Sequence, residues 1–403
     1  MRRRLRAAAA VAGVATALAS CHGHVIDRLH APNFARDFDF RAPPCAPAPA
    51  PPPSGDGEVV LVRYLAAGGL YLSWRGAGVL TAPFFSNPGL VRTGLGRVRW
   101  REDAIGRRLS GLPAPPAAIF AGHSHYDHVG DLVPILQGHA PAARLYLSRS
   151  GHHMLAPDPD LRRRSEVLEA GPEWRRVRDA AGRPLPLRYR TLRSRHAPHL
   201  GRLHFFCGTL DRDWRREWTD MRWRDFREGE VFAFVFDLLD EQDRVRFRLY
   251  ANDAASPRGW GVPDAELARE RRFDLAAVVM ASYYLVDDYP EGLLRALRPR
   301  HVLAIHYEDF FRSLDEPVRF VPLLTDARAN RFLARVQRAV PRDGLRPPLP
   351  PVCGPSGQAV TMAVPGEWLR FRSRGLGGKL GEPTACSRSL APGGRRPAAR
   401  RRS

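Results

Sequence analysis

The residues best suited to metal chemistry lie in one hexapeptide, His123-Ser124-His125-Tyr126-Asp127-His128. Neutral imidazoles and a carboxylate are ligands that a divalent ion such as Zn²⁺ prefers. The apolar run 117–121 before the hexapeptide predicts a buried strand, and the residues after it have helical spacing. In a loop between a strand and a helix, positions 1, 3, 5 and 6 can converge on one point. The hexapeptide therefore predicts a metal site, with a solvated histidine-rich loop as the alternative interpretation.

Short apolar runs elsewhere predict the elements that would position this loop. Val129, Leu132, Val133 and Leu136 have the i, i+3, i+4, i+7 spacing of a helix packed on a sheet. Strands preceding mixed strands and helices predict two sheets with helices on their outer faces. The predicted strands are 59–63, 70–74, 78–81, 117–121, 144–148, 187–192, 203–207, 231–238, 245–250, 275–281, 301–305 and 361–370.

The hexapeptide resembles the signature of the metallo-β-lactamase superfamily. Members of that family also have a third histidine downstream, an aspartate after a later strand and a final histidine after one or two more strands. The resemblance implies His196 or His199 as the third histidine and favours His196, because the family's ligand tends to lie first in such a segment. It implies Asp253 as the aspartate, for which a simple turn-forming role is the alternative, and His306 as the last histidine.

The resemblance also implies a fold and a cofactor. The fold would be of the α/β class, a four-layer αβ/βα sandwich, and the cofactor two divalent ions, zinc by default, with iron or manganese as alternatives. Ala82 stands where many members have an aspartate that supports the metal loop, and this departure would affect metal affinity. One ion would take His123, His125 and His196, the other Asp127, His128 and His306, and Asp253 would bridge them.

The implied activity is that of a metal-dependent hydrolase. A metal-bridging hydroxide would attack the substrate, and Asp127 would orient that hydroxide. The hexapeptide and the upstream Phe84-Phe85-Ser86-Asn87-Pro88 look most like those of the N-acyl-phosphatidylethanolamine phospholipase D and ascorbate-6-phosphate lactonase members. This likeness implies a phosphodiester or phospholipid-like substrate. Hydrolysis of a lactone or another ester is the alternative, and a metal-binding, non-catalytic envelope protein is a third interpretation.

The first twenty residues predict a targeting segment, not part of the fold. Arginines at positions 2, 3, 4 and 6 precede an apolar stretch, 7–19, and the end of the segment, Leu18-Ala19-Ser20-Cys21, resembles a bacterial lipobox. The resemblance implies cleavage before Cys21 and lipid attachment to its sulfur; an ordinary secretory signal is the alternative. Residues 21–57 predict a Pro-rich tether. The protein is therefore expected in the bacterial cell envelope, lipid-anchored to the membrane and facing the periplasm or exterior.

The rest of the chain divides into a predicted hydrolase domain, 58–372, and a basic disordered tail, 373–403. The formal net charge of the 403 residues is +21, and Lys379 is the one lysine among 63 basic residues. No basic motif interleaved with aromatic residues occurs, so nucleic acid is not expected as a partner, and the partners are a small-molecule or lipid substrate and the membrane. Export would permit disulfides, with buried or free thiols as the alternative; the cysteines concerned are Cys45, Cys207, Cys353 and Cys386.

Overall fold

The computed structural model describes residues 25–26, 28–31, 38–40, 59–340 and 360–373. Within these ranges the strands are β1 (Arg28–Leu29), β2 (Phe38–Asp39), β3 (Val59–Ala66), β4 (Gly69–Trp74), β5 (Ala77–Thr81), β6 (Pro116–Phe120), β7 (Arg144–Leu147), β8 (Ser165–Val167), β9 (Arg175–Arg178), β10 (Pro184–Arg193), β11 (Phe232–Leu239), β12 (Val245–Ala251), β13 (Leu275–Val279), β14 (Val302–Ile305), β15 (Val360–Met362) and β16 (Trp368–Arg372). The helices are α1 (Leu90–Leu95), α2 (Glu102–Leu109), α3 (Tyr126–Val129), α4 (Leu132–Pro134), α5 (Arg149–Met154), α6 (Pro159–Arg163), α7 (Ala265–Glu270), α8 (Glu291–Leu297) and α9 (Asp326–Ala339). A π-helix covers Ile135–His139, and 3₁₀ turns cover Trp218–Asp220, Trp223–Asp225 and Tyr283–Leu285.

The strands form two seven-stranded mixed sheets and a separate β1–β2 ladder. The first sheet has the order β16-β3-β4-β5-β6-β7-β8, and the second has the order β15-β14-β13-β12-β11-β10-β9. In each sheet a meander of antiparallel strands continues into parallel strands joined by crossovers. Parallel pairing aligns the carboxyl ends of neighbouring strands at one sheet edge, where loops can meet.

The two sheets pack face to face through large apolar side chains. Phe120 of β6 lies 5.3 Å and 4.9 Å, between ring centroids, from Phe234 and Phe236 of β11. Across the same interface, the Trp74 indole N–H donates to the Leu239 carbonyl at 2.8 Å. Apolar residues of α2, α3 and α4 pack on the outer face of the first sheet, and those of α7, α8 and α9 join the core of the second. This arrangement confirms the predicted αβ/βα sandwich.

Three of the predicted elements are wrong in detail. Residues 203–207 form turns and not a strand, with positive φ at Gly201 and Phe206. The predicted strand 361–370 is two strands in different sheets, separated by Gly366 with φ 100°. The helix predicted to carry 129–136 is broken into α3, α4 and the π-helix, and Pro134, which has no N–H to donate, lies at the second break.

Part of the segment predicted as a tether packs against the domain. Ile26, Leu29 and Phe38 are buried, and the Ile26 N–H donates to the Val318 carbonyl at 2.9 Å. These residues are apolar, so burial stabilises them on the domain. The Pro-rich stretch 43–53, the predicted signal peptide and tail, and Cys21, Cys45, Cys353 and Cys386 lie outside the described residues, and Cys207 is an exposed free thiol. Among the described helices, none combines the length and the apolar composition needed to cross a membrane.

Candidate metal centre

The seven predicted ligands meet at one edge of the sandwich, each just after a strand. The hexapeptide follows β6, and its last residues form α3; His196 follows β10, Asp253 follows β12 and His306 follows β14. All but His196 are buried, and His196 is half-buried. Gly122 makes the close approach of β6 and β12 possible, because a Cβ there would lie 2.6 Å from an Asp253 carboxylate oxygen.

One group of nitrogen donors consists of His123, His125 and His196. His123 Nε2 lies 3.1 Å from His125 Nδ1, and the His196 ring centroid lies 5.0 Å and 4.9 Å from those of His123 and His125. His123 Nδ1 donates to Asp253 Oδ1 at 3.0 Å. Since a neutral imidazole carries one proton, this bond leaves a lone pair on His123 Nε2, which faces the other two rings.

A second group consists of Asp127, His128 and His306. Asp127 Oδ2 lies 3.4 Å from His128 Nε2 and 3.6 Å from His306 Nε2. Asp253 lies between the two groups, because its Oδ2 is 3.7 Å from His128 Nδ1 and its Oδ1 contacts His123. Ligand atoms of a tetrahedral zinc ion with bonds of about 2.1 Å lie roughly 3.4 Å apart, which is close to these separations.

Four buried nitrogens of the cluster support the interpretation as a metal centre. His125 Nε2, both ring nitrogens of His128, and His306 Nδ1 have no hydrogen-bond partner among the described residues. An unpaired buried polar atom costs about 1–3 kcal/mol, so such atoms are rare without a role. A divalent cation would satisfy imidazole lone pairs of this kind. The imidazole nitrogens and carboxylate oxygens of the cluster therefore fit two divalent ions as ligands.

The electrostatics favour neutral rings at His125, His128 and His196 and ionised carboxylates at Asp127 and Asp253. Burial, reinforced by neighbouring histidines, holds the pKa of His125 and His196 well below the usual range. Burial also lowers the pKa of His128 to about 4, even though Asp127 opposes it. For Asp127, burial would raise the pKa, but His128 and His306 outweigh it and hold the pKa well below the usual range. At pH 7 these five groups have the protonation states that metal binding requires. At His123 burial would lower the pKa, but the Asp253 carboxylate outweighs it and raises the pKa, so an ion would have to compete with a proton there.

Hydrogen bonds to the rings of His196 and His199 distinguish the two candidates. His196 Nδ1 lies 2.6 Å from the Ala197 carbonyl oxygen, which can only accept, so Nδ1 is protonated and Nε2 has a lone pair. His199 Nδ1 accepts the Phe205 backbone N–H at 3.2 Å, so the proton of the neutral ring is on Nε2. Burial lowers the pKa of His199 to about 4, so the ring is neutral at pH 7. His196 thus offers a ligand atom to the site, whereas His199 offers an N–H.

Sequence reasoning missed a buried clamp behind the ligands, formed by Tyr64 and Glu308. The Tyr64 hydroxyl donates to one carboxylate oxygen of Glu308, and the Ala67 N–H donates to the other. The same hydroxyl accepts the His306 N–H at 2.8 Å, while His306 has a φ of 55°. The turn that holds Ala67 continues into Gly68, where a Cβ would lie 3.1 Å from Asp253 Cβ. The clamp therefore joins the turns that position His306 and Asp253.

A second support joins the loop that begins at Ala82 to the segment after the hexapeptide. The Asp131 carboxylate accepts the Phe85 and Ser86 N–H groups at 2.7 Å and 2.9 Å, and the Ser86 hydroxyl at 2.5 Å. Burial raises the pKa of Asp131 to about 6 despite these bonds. Asp131 lies four residues after Asp127, so this contact ties the 82–88 loop to the metal-binding segment. Ala82 itself is buried, with its N–H donated to the Phe120 carbonyl at 2.8 Å.

The cluster forms one wall of an apolar cavity of about 260 Å³. Leu90 of α1, Phe205 and Phe206 of the 200–206 turns, and Phe310 and Phe311 after β14 line other parts of it. None of the described side chains lining it is arginine or lysine. We call this space the chamber. A small group of polar donors in a mainly apolar cavity is typical of ligand sites.

Comparisons with known proteins find structural similarity but no match in sequence. No protein-family model and no curated protein matches the chain. Among solved structures, similarity is found to the metallo hydrolase Igni18 of Ignicoccus hospitalis, at 16% identity and a TM-score of 0.45, over 78% of this chain and all of that one. The diiron β-hydroxylase CmlA of Streptomyces venezuelae has 14% identity and a TM-score of 0.43, over 78% of this chain and 54% of that one.

A third similar structure is the metallo-β-lactamase fold protein YhfI of Bacillus subtilis, at 10% identity and a TM-score of 0.39, over 77% of this chain and 98% of that one. Similarity at this level does not transfer a function, because one fold supports several chemistries.

Proposed function

We propose that the chain is a metal-dependent hydrolase of the metallo-β-lactamase type that holds two divalent ions, zinc by default. The observation that carries this proposal is the pair of adjacent ligand groups at the chamber wall, the first His123, His125 and His196 and the second Asp127, His128 and His306. Asp253 contacts a member of each group and so would join the two ions.

The residues of the site would have different roles in hydrolysis. Two divalent ions, when bound, would lower the pKa of a water molecule toward neutrality and polarise the bond to be cleaved. Asp127 is held as a carboxylate, and so can keep the attacking water oriented by accepting one of its protons. Asp253 and the Ala197 carbonyl hold the Nδ1–H tautomers of His123 and His196 and so direct Nε2 of both rings to the site. The apolar walls of the chamber would cover the part of the substrate that faces away from the metal cluster and would limit its contact with bulk water.

The chamber favours an uncharged ester or lactone with an apolar acyl group as the substrate. Phosphate groups are commonly recognised by arginine or lysine, yet none of the described lining residues is either, in a chain with 63 basic residues. Burial of an acyl chain against Leu90, Phe206 and Phe311 would contribute about 0.8 kcal/mol per methylene. Phosphodiester or phospholipid cleavage, which the motif likeness implies, is the second candidate, because two divalent ions alone can bind a phosphate.

The proposed location rests on the N-terminal sequence. The Leu18-Ala19-Ser20-Cys21 segment supports a lipid anchor at Cys21 and a position in the bacterial cell envelope. An apolar chamber is consistent with a substrate drawn from a membrane.

Matched substrates test the proposal. We would compare 4-nitrophenyl octanoate with 4-nitrophenyl octyl phosphate, which share the alkyl chain and the leaving group and differ in charge. Each assay would use metal-loaded protein, with chelated protein and Asp127→Asn as controls. We expect octanoate cleavage that requires metal and Asp127, and slower cleavage of the phosphate.

Faster cleavage of the phosphodiester would select the second candidate. No turnover of either compound by protein with a full metal complement would favour a metal-binding, non-catalytic protein. Turnover that survives chelation or the Asp127→Asn change would contradict the proposed mechanism.

A further inference from the structure

We propose that His199 is a catalytic hydrogen-bond donor that directs its Nε2–H to the substrate oxygen on which charge develops. This inference rests on the proposed hydrolase function, which it deepens by assigning a residue outside the metal-ligand set. The family resemblance leaves His199 only as a weaker candidate for the third ligand. The hydrogen bonds of its ring give it a different role.

The tautomer of His199 is set by the backbone. The Phe205 N–H donates to His199 Nδ1 at 3.2 Å, which makes Nδ1 an acceptor and leaves the ring proton on Nε2. The turn that carries Phe205 is itself fixed, because the His199 N–H donates to the Leu203 carbonyl and the Leu203 N–H to the Leu200 carbonyl, both at 2.8 Å. A nitrogen that carries a proton cannot be a metal ligand, so His199 is excluded from the first donor group while this turn is formed.

The position of the ring is that of a group facing the substrate. The His199 ring stacks on that of His196, with centroids 4.7 Å apart and planes 16° apart, and lies 5.4 Å from His125. Its side chain lines the chamber beside these two rings. Within the described part of the chain, the Phe205 N–H is the hydrogen-bond partner of the His199 ring, so Nε2–H is available to a bound molecule.

The chemistry needed at this position is hydrogen-bond donation without proton transfer. When water attacks an ester carbonyl, negative charge grows on the carbonyl oxygen, and a fixed N–H nearby stabilises that charge more than it stabilises the substrate. The ring does not reorganise during the reaction, since stacking on His196 and the Phe205 bond hold it. Removal of one such donor typically lowers kcat about 10²- to 10³-fold.

The test compares three variants by two independent readouts. His199→Phe removes the donor and keeps a flat ring, His199→Gln keeps an N–H donor, and His204→Gln changes an exposed neighbouring histidine as the matched control. The readouts are metal content and the kinetics of 4-nitrophenyl octanoate hydrolysis. We expect all three variants to keep the wild-type metal content. His199→Phe should lose about 100-fold or more in kcat with little change in KM, His199→Gln should recover part of that loss, and His204→Gln should match wild type.

An NMR measurement tests the protonation of His199 without relying on turnover. In ¹⁵N-histidine-labelled protein, the resonances lost in His199→Gln identify the His199 ring, and we expect Nε2 to be protonated with and without zinc. Addition of octanoate, which resembles the acyl product, should shift the Nε2 resonance. Protonation at Nδ1, loss of metal in His199→Phe, or an unchanged kcat in that variant would overturn the assignment. If wild type cleaves neither 4-nitrophenyl octanoate nor 4-nitrophenyl octyl phosphate, the proposed function fails, and the tautomer and the octanoate shift still decide whether His199 is a donor to a bound oxygen.

Discussion

Glu308 should control both stability and metal affinity, although it contacts none of the proposed ligand side chains. The change Glu308→Gln keeps the shape of the side chain but puts an NH₂ group where one carboxylate oxygen now accepts a proton. If the amide oxygen keeps the Ala67 N–H, its NH₂ group faces the Tyr64 hydroxyl, whose oxygen already accepts the His306 N–H at 2.8 Å. Two buried donors are thus left without an acceptor, because the Tyr307 N–H also donates to this oxygen, at 3.2 Å.

The expected loss of stability follows from the number of buried donors left without an acceptor. One unsatisfied buried donor costs about 1–3 kcal/mol, and the lost bond joins a hydroxyl to a carboxylate, a class worth about 1.5–3 kcal/mol. With two such donors, we expect Glu308→Gln to lower the free energy of unfolding by roughly 2–5 kcal/mol. Because the clamp positions His306 and the turn beside Asp253, metal affinity should fall about 10- to 100-fold, as for other groups that orient ligands.

The assay combines urea unfolding of metal-free protein with zinc competition against a chelator, for Glu308→Gln, Tyr64→Phe and the double variant. The two single changes break the same bond, so their effects should be strongly non-additive. The matched control is Glu291→Gln, a half-buried glutamate on α8 that pairs with Arg335 and should alter stability without altering metal affinity. Wild-type zinc affinity in Glu308→Gln, or additive losses in the double variant, would refute this reasoning.

Three other predictions concern separate parts of the chain. Asp127→Asn should bind the ion held with His128 and His306 weakly and lose most ester turnover, which metal analysis and initial rates would check; wild-type rates would count against the mechanism. Burial lowers the pKa of His301 to about 3, so as the pH falls this histidine takes up a proton in the unfolded chain before it does so in the folded protein. The stability that neutral His301 contributes to the fold is therefore present above about pH 6.5 and is lost as the pH falls toward 3. His301→Leu should therefore lose less stability than wild type between pH 7 and 4 in urea titrations, by up to a few kcal/mol, and equal losses would contradict this assignment. Cys21→Ser should release the protein from the membrane fraction, and an unmodified mature N-terminus at another residue in wild type would exclude the lipid anchor.

Much of the fold and the set of candidate ligands could be predicted because both depend on local patterns. Buried strands such as β6 and β14 are short apolar runs, and the polar residue after such a run lies at a sheet edge. His123 and His306 could be identified on that basis together with the family resemblance. The run 203–207 led to a wrong strand prediction, because its Phe205 and Phe206 are half-buried and line the chamber from a bend of the chain, not from a sheet.

The supports of the site could not be predicted, because they depend on contacts between distant segments. Tyr64 and Glu308 are 244 positions apart, and neither lies in a sequence pattern that predicts a buried hydrogen bond. The choice between His196 and His199 depends on single backbone groups, the Ala197 carbonyl and the Phe205 N–H. Hydrogen bonds of this kind follow from the path of the chain and leave no periodic signal.

The metal content of the purified protein decides whether the cluster is a two-metal centre. Elemental analysis of wild type, His196→Ala and His306→Ala after expression in metal-supplemented medium would give the number of ions per chain. The account predicts about two transition-metal ions in wild type and, since each variant removes a ligand from a different donor group, the loss of about one ion from each. Wild-type protein without metal, or full metal content in both variants, would contradict it.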